Sequence, residues 1–338
     1  MTSLPLEDLD RNTASRSLGA LGFDGLSELC RAASGTYQPD GLLGTDPRGP
    51  LPIAYSENRA LRMGVSGCVV CDGQTCPAAD RAELPGGDLA WFTPNLYPIT
   101  YPFEDGAPLR GVHLVHWSSL RHDGGLIGAE RDIAAALLRH LAAAEEFLLH
   151  HADESYPETG EGHRGHVGVI KNRGRGVGGS VEHDHQQILL SSAPFPEPAL
   201  THGLPAALRA DASDARTVDD IDGLATTLVP SFMRRPLGAF VVPTGDDAGW
   251  LHHMRPEVLD ACAFAVARLT LAVSVAMTAS NTEPAWNLIC HTGLGCGPLF
   301  EMRAFTQPLG GYEHLGLYLC EERPETTAGR LREALSPG

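Results

Sequence analysis

The run Asn172-Arg-Gly-Arg-Gly-Val-Gly-Gly-Ser180-Val-Glu-His183-Asp-His185-Gln-Gln187 concentrates the chemistry of this 338-residue chain. A β-type segment, residues 166–170, leads into it, and a second, residues 183–191, closes it and stops at Pro194. Gly174, Gly176 and Gly179 match G-x-G-x-x-G, but a dinucleotide fingerprint has to open a helix, and here a strand follows. The Gly-Lys-Ser/Thr ending of a P-loop is also absent. The glycines still let backbone N–H groups approach a phosphate closely. Ser180 adds a hydroxyl, and Arg173 and Arg175 either add charge or point to solvent.

His183 and His185 stand two apart on the second strand and so share a face. An isolated His-x-His is usually a pair of surface or core-edge histidines. Here the pair directly follows a phosphate-type loop, Gln187 extends the polar stripe, and Ile188, Leu189 and Leu190 bury the end of the strand. Neutral imidazole is a competent nucleophile near neutrality and needs no separate base. Its attack on an α-phosphorus gives a phosphoramidate, and Gln187 is a natural donor to a non-bridging oxygen.

Outward from this run, residues 111–117 read as a buried strand and residues 127–151 as a helix, with Ile133, Leu137, Leu138, Leu141, Phe147 and Leu148 at helical spacing. A polar loop with Pro157, Gly160, Gly162 and Gly165 ends it. Residues 1–50 read as irregular, with short apolar runs at 51–55 and 89–92, and residues 196–235 read as a connector. The pattern then recurs: strand 238–243, helix 256–278, strands 286–291, 299–305 and 315–320, and a helix opening near Pro324. The repetition predicts two related α+β halves, residues 1–195 and 196–338.

Of eight cysteines, Cys68, Cys71 and Cys76 cluster. In a chain of this length without a signal sequence, clustering points to metal before disulfide. No thioredoxin-like pattern surrounds Cys68-Val-Val-Cys71, so half of a zinc site is the stronger reading than a redox pair. His183 and His122 are candidates to complete it, with His113, His116 and Cys76 as competitors.

Composition bounds the partners. A net charge of −17 argues against nucleic acid, whose binding rests on neutralising phosphates with Lys and Arg. No apolar run reaches the roughly 18 residues of a membrane span, and residues 1–17 lack an apolar signal region. The expected location is the cytoplasm, with no membrane partner.

The run Lys171-Asn-Arg-Gly174, Gly178-Gly-Ser180 and His183-x-His185-x-Gln187 resembles the active-site signature of the galactose-1-phosphate uridylyltransferase family, in the histidine-triad superfamily. Further similar segments are residues 55–62 with Arg59 and Arg62, Cys68-x-x-Cys71, residues 92–98 with Asn95, Ser119-Leu-Arg-His122, and residues 311–313 followed by a Pro324-Glu325 helix. The likeness spans about residues 50–335, marked at the His-x-His and thin elsewhere. It implies an α+β fold of two histidine-triad-like halves, each an antiparallel sheet with a long helix, assembled as a homodimer. It further implies zinc held by Cys68, Cys71, His122 and His183, and His185 as the nucleotidylated residue. Gln187 and Ser180 would contact phosphate oxygens, Asn95, Asn172, Gly178, Gly179, Arg59 and Arg62 would bind the substrate's nucleotide, and Glu313 the sugar. Where the family often has Pro between the histidines this chain has Asp184, and a hexose-phosphate Lys aligns with Gln307.

The implied reaction exchanges a nucleoside monophosphate between a nucleoside diphosphate sugar and a sugar 1-phosphate. A phosphorylase with inorganic phosphate as acceptor, acting on a nucleotide sugar or a dinucleoside polyphosphate, or a hydrolase, would share the intermediate. A zinc-stabilised nucleotide-binding protein without turnover is the alternative of a different class.

Overall fold

The computed structural model describes residues 17–45, 52–55, 57, 67–103, 107–195, 203–293 and 297–336. The elements, in chain order, begin with helix α1 (Leu18–Ser34) and the strands β1 (Leu43–Thr45), β2 (Pro52–Ala54), β3 (Asp80–Glu83), β4 (Leu89–Pro94) and β5 (Gly111–Trp117). Helix α2 (Arg131–His151) follows, then β6 (Glu158–Gly160), β7 (His163–Arg164), β8 (His166–Arg173) and β9 (His185–Ser191). The remainder comprises α3 (Leu204–Asp211), β10 (Thr217–Ile221), β11 (Ala225–Leu228), β12 (Ala239–Pro243), α4 (Pro256–Ala279), β13 (Trp286–Gly293), β14 (Gly297–Ala304), α5 (Gly311–His314) and α6 (Pro324–Leu335). The class is α+β, and the strand pairs described below are antiparallel.

The chain divides into two compact units that are not uninterrupted in sequence. The first takes Met1–Gly125, His140–Val169 and His183–Thr201; the second takes Leu126–Arg139, Ile170–Glu182 and His202–Gly338. The division therefore falls inside both α2 and β8.

In the first unit the strand order is β9-β5-β4-β3. β5 and β9 run in register from Gly111 opposite Ser191 to Trp117 opposite His185. Val112, Leu114, Ile188 and Leu190 are fully buried, as are Trp91 and Phe92 of β4. β5 is buried along its whole length and β9 at all but Gln187 and Leu189, so their polar residues His113, His116, His185 and Gln186 are held inside the unit. Gly111 is required where it stands: a Cβ there would lie 1.8 Å from the carbonyl oxygen of Leu190. α1 packs on β4 and β5. Its N-terminus is capped by Ser17, whose hydroxyl accepts from the Ala20 N–H at 3.1 Å, and Leu26 and Cys30, one turn apart, are buried.

In the second unit the order is β10-β11-β12-β14-β13. α4 covers β10, β11, β12 and β14, and α6 lies on α4. Pro256 suits the first helical turn, where no backbone donor is needed. α4 ends where the Arg330 guanidinium donates to the Ala276 carbonyl at 3.1 Å, a cation at the negative end of the helix. α4 is long and apolar enough, by length and composition, to cross a membrane. Asp260 and Arg268 interrupt the apolar run in the sequence. Val258, Ala261, Cys262, Ala265, Leu269, Ala272 and Val273 are buried within the unit, which accounts for the composition as that of a core helix.

Four local expectations are corrected. Residues 1–50 hold α1, an amphipathic helix disguised by Gly19, Gly22 and Gly25; Gly22 adopts φ 64° and kinks it. The supposed connector 196–235 contains α3, β10 and β11, with Leu208 and Leu228 in a cluster with Phe240, Val242 and Leu299. The loop after α2 holds the paired strands β6 and β7. Residues 315–320 form no strand: Leu315, Leu317 and Leu319 alternate as strand residues do but are exposed and unpaired in any described sheet.

Candidate active site and metal centre

The Sγ atoms of Cys68 and Cys71 and one ring nitrogen each of His122 and His183 lie within 4.8 Å of one another. Cys68 Sγ is 3.6 Å from His183 Nδ1, and Cys71 Sγ is 3.6 Å from His122 Nδ1 and 3.8 Å from His183 Nδ1. Ligand atoms around a tetrahedral zinc, with bonds of about 2.0–2.3 Å, stand roughly 3.3–3.8 Å apart. The donor set and its spacing therefore fit the ion. The tautomer fits as well. His183 Nε2 is 2.7 Å from the Ser119 carbonyl oxygen, which only accepts, so Nε2 carries the proton and Nδ1 presents its lone pair to the thiols. Burial lowers the His183 pKa, against a smaller opposing effect of that bond, and keeps the ring in the neutral form a ligand needs.

Asp88, in the β3–β4 turn, shapes the loop that carries His122. Its carboxylate accepts from Ser119 Oγ at 2.5 Å and from the Leu120 N–H at 2.8 Å. The three competitors for the metal lie elsewhere. His113 bonds to Gln187, and His116 bonds to Gln186 and His140. Cys76 lies outside the four-residue cluster, and burial pushes its thiol up to about 11.

His185 opens β9, whereas His183 lies just before the strand, so the shared face expected of two strand residues does not apply to this pair. The link is a local hydrogen bond instead. His185 Nδ1 is 2.8 Å from the carbonyl oxygen of His183. A carbonyl cannot donate, so the proton is on Nδ1 and the lone pair on Nε2. The ring is buried, with Trp117 at 5.3 Å between centroids. Asp184, between the histidines, is buried against Gly125, where an added Cβ would meet its carboxylate at 2.3 Å.

Gln187 follows His185 on the same face of β9. Its Oε1 accepts from His113 Nε2 at 3.0 Å and from Asn95 Nδ2 at 3.4 Å, so Asn95 and Gln187 are brought together as expected of neighbours in one site. His113 was visible in the sequence only as a possible metal ligand. It stands on β5 opposite Leu189 and diagonal to Gln187, a register that the sequence does not print.

The glycine-rich loop belongs to the second unit and is shaped differently from an anion nest. The N–H groups of Val177, Gly178 and Gly179 bond to the carbonyls of Gly174, Arg175 and Gly174. Gly178 and Gly179 thus give shape more than donors. Gly178 takes φ 91°, and a Cβ on Gly179 would lie 2.8 Å from the Gly174 nitrogen. The loop is pinned by a residue the sequence did not reveal. Asn287 Nδ2 donates to Asn172 Oδ1 at 2.7 Å and to the Val177 carbonyl at 3.0 Å. Ser180 sits exposed at the end of the loop.

Gln307 and Glu313 are brought together on the backbone of one residue, Leu319. Gln307 Nε2 donates to the Leu319 carbonyl at 2.5 Å, and the Leu319 N–H donates to Glu313 Oε1 at 3.3 Å. Both hold the 310–321 segment. Arg59 and Arg62 lie outside the described residues.

No protein-family model and no curated protein matches the chain. Solved structures do. A uridylyltransferase aligns with 87% of this chain and 98% of its own at TM-score 0.65 and 18% identity. An ADP-glucose phosphorylase from Arabidopsis thaliana, solved with ADP-glucose, aligns with 88% and 98% at TM-score 0.65 and 18% identity. A GalT-like protein from the same plant aligns with 79% and 90% at TM-score 0.61 and 19% identity. The chain thus has the fold of the uridylyltransferase and ADP-glucose phosphorylase structures, which bears out at that level the resemblance read from its motifs.

Proposed function

We propose that the chain is a nucleotidyltransferase that carries its nucleotide on His185. The observation that carries this is the 2.8 Å bond from His185 Nδ1–H to the His183 carbonyl. It fixes the ring as a nucleophile at Nε2. The Nε2 lone pair attacks the α-phosphorus of a nucleoside diphosphate sugar, and the bond to the bridging oxygen breaks with its electron pair, releasing a sugar 1-phosphate. The adduct ring is cationic, and the His183 carbonyl, still accepting from Nδ1–H, stabilises it. A phosphate oxygen of the acceptor then attacks phosphorus, the N–P bond breaks, and neutral His185 returns. Gln187 and Ser180 hold the non-bridging oxygens, with Asn95, Asn172, Gly178, Gly179, Arg59 and Arg62 around the nucleotide. Residues 1–195 would carry the nucleophile and the metal, and residues 196–338 would contribute to sugar and phosphate binding.

Cys68, Cys71, His122 and His183 would hold zinc, which when bound supplies a four-coordinate cross-link. The His183 peptide would then be fixed at one end of the bond that orients His185. A cluster of thiols suits a reducing compartment, in keeping with the cytoplasm.

Incubation with UDP-glucose, ADP-glucose and GDP-sugars followed by intact mass measurement tests the reading. One nucleoside monophosphate should add to the native chain and none to His185→Gln. Transfer activity retained by His185→Gln would refute it. No adduct with any nucleotide would favour a binding protein.

A phosphorylase is the second reading. At the position of the family's hexose-phosphate Lys stands Gln307, neutral and engaged with Leu319, which suits a smaller acceptor than a hexose phosphate. Product analysis with and without inorganic phosphate separates phosphorolysis from exchange and from hydrolysis.

A homodimer is proposed on the segment that Gln307 and Glu313 hold. Tyr312, Leu315, Leu317 and Leu319 are 71, 83, 68 and 66% exposed within eight residues, a density of large apolar side chains that suits a second copy of this chain. Light scattering should give twice the monomer mass, and Leu315→Glu with Leu317→Glu should give the monomer.

A further inference from the structure

We infer that His113 is a positioning residue that makes Gln187 a hydrogen-bond donor, and not an acceptor, toward the reacting phosphoryl group. This rests on the nucleotidyl-transfer reading for its purpose, while its geometry stands alone.

Two backbone N–H groups set the proton positions. The Ile99 N–H lies 3.1 Å from His113 Nδ1 and can only donate, so Nδ1 must hold a lone pair. In a neutral ring the proton is then on Nε2. His113 Nε2–H faces Gln187 at 3.0 Å, so the atom it meets must be the amide oxygen. The flipped amide would set an NH2 against an N–H. The Tyr97 N–H donates to Asn95 Oδ1 at 2.9 Å, which turns the Asn95 NH2 outward; its Nδ2 lies 3.2 Å from His113 Nε2 and 3.4 Å from Gln187 Oε1, so the two donors stand side by side and converge on that one oxygen. Both neighbours therefore demand the same Gln187 orientation. With its oxygen committed, Gln187 offers only N–H groups on its remaining side, on the face of β9 that it shares with His185.

Polarity decides whether that contact helps. The non-bridging oxygens of a phosphoryl group only accept, and they gain charge as the nucleophile adds. An amide NH2 stabilises that charge and an amide oxygen opposes it. Removing one such donor typically slows a reaction by about 10²–10³-fold. His113 is 2% exposed and lies 3.0 Å from the Gln187 side chain, so its effect passes through Gln187.

The experiment has two arms on the full-length chain. In the first, long-range 1H–15N spectra of the histidine-labelled protein, with His113 assigned by its loss in His113→Gln, should show the Nε2–H tautomer across neutral pH. The Nδ1–H tautomer would overturn the proposal whether or not the protein transfers nucleotide. In the second, adduct formation from the best nucleotide sugar is timed. His113→Phe, which removes both ring nitrogens, should slow it about 10- to 100-fold with little change in KM. His113→Gln, which keeps an acceptor and a donor, should recover part of the rate. In Gln187→Glu, which has no donor to lose, His113→Phe should add no further loss. An equal loss in both backgrounds would mean that His113 acts without Gln187, and the inference would fail. Absence of any adduct from the native chain would sink the functional reading and leave the spectrum to judge His113.

Discussion

His183 donates its Nε2–H to the carbonyl of Ser119 at 2.7 Å, and this bond joins the two loops that supply half of the thiol–imidazole cluster. It selects the tautomer that turns Nδ1 toward Cys68 and Cys71. Elemental analysis of the purified protein should give about one zinc per chain. Cys71→Ser should reduce the metal content several-fold and lower Tm by several degrees. Full zinc with unchanged Tm in that variant would place the metal elsewhere.

Glu301 provides a pH test. Burial alone would raise its pKa, but hydrogen bonds from His291, at 2.8 Å, and from Arg303 outweigh burial and hold the carboxyl at about 2 against an ordinary 4.5. A depressed carboxyl stabilises the fold fully above its unfolded value and loses that contribution as pH falls through the folded one. The contribution, roughly 2 to 3 kcal/mol at neutrality, should be more than half gone by about pH 3. Urea unfolding of native protein and Glu301→Gln should therefore converge between about pH 5 and pH 3. A constant difference over that range would count against the assignment.

Gly125 faces Asp184. It holds φ 121°, and a Cβ would meet the Asp184 side chain at 2.3 to 2.6 Å. Gly125→Ala should cost more than about 2 kcal/mol, combining backbone strain with a clash. Chemical denaturation reads it directly, and a loss below a few tenths would show that the loop accommodates the methyl.

Asn287 is the clamp of the glycine-rich loop. Asn287→Ala removes the donor to Asn172 and Val177 and should cost about 1 to 3 kcal/mol. Amide exchange at residues 174–179 should quicken while β13 and β14 stay protected. Uniform acceleration across the second unit would indicate general destabilisation instead.

The sequence made some of this legible and hid the rest for identifiable reasons. β5, β12 and α4 were readable because their side chains are buried on most faces, leaving a dense apolar signature. The four residues of the thiol–imidazole cluster were nameable from spacing and resemblance, since ligand chemistry restricts residue type. α1 was hidden because three glycines dilute its apolar face, and α3 with β10 and β11 because they are short, with a single buried residue, Leu208, in α3 and two in β10, too few to set a period. Residues 315–320 misled in the opposite sense, as alternation predicts a strand only where a neighbour exists to pair with it. His113 and Asn287 were out of reach because their roles depend on which groups lie across from them, the Ile99 N–H for His113 and the Asn172 and Val177 oxygens for Asn287, which spacing along one strand does not encode.

Trp117 lies opposite His185 in the β5–β9 ladder, with its ring 5.3 Å from the His185 ring and 6.1 Å from that of His183. The chain thus has a natural fluorophore beside the proposed nucleophile. On the nucleotidyl-transfer proposal, loading a charged nucleotide onto His185 would alter the field at that indole, so its emission would follow each half-reaction in a stopped-flow instrument without a label, with Trp117→Phe as the blank.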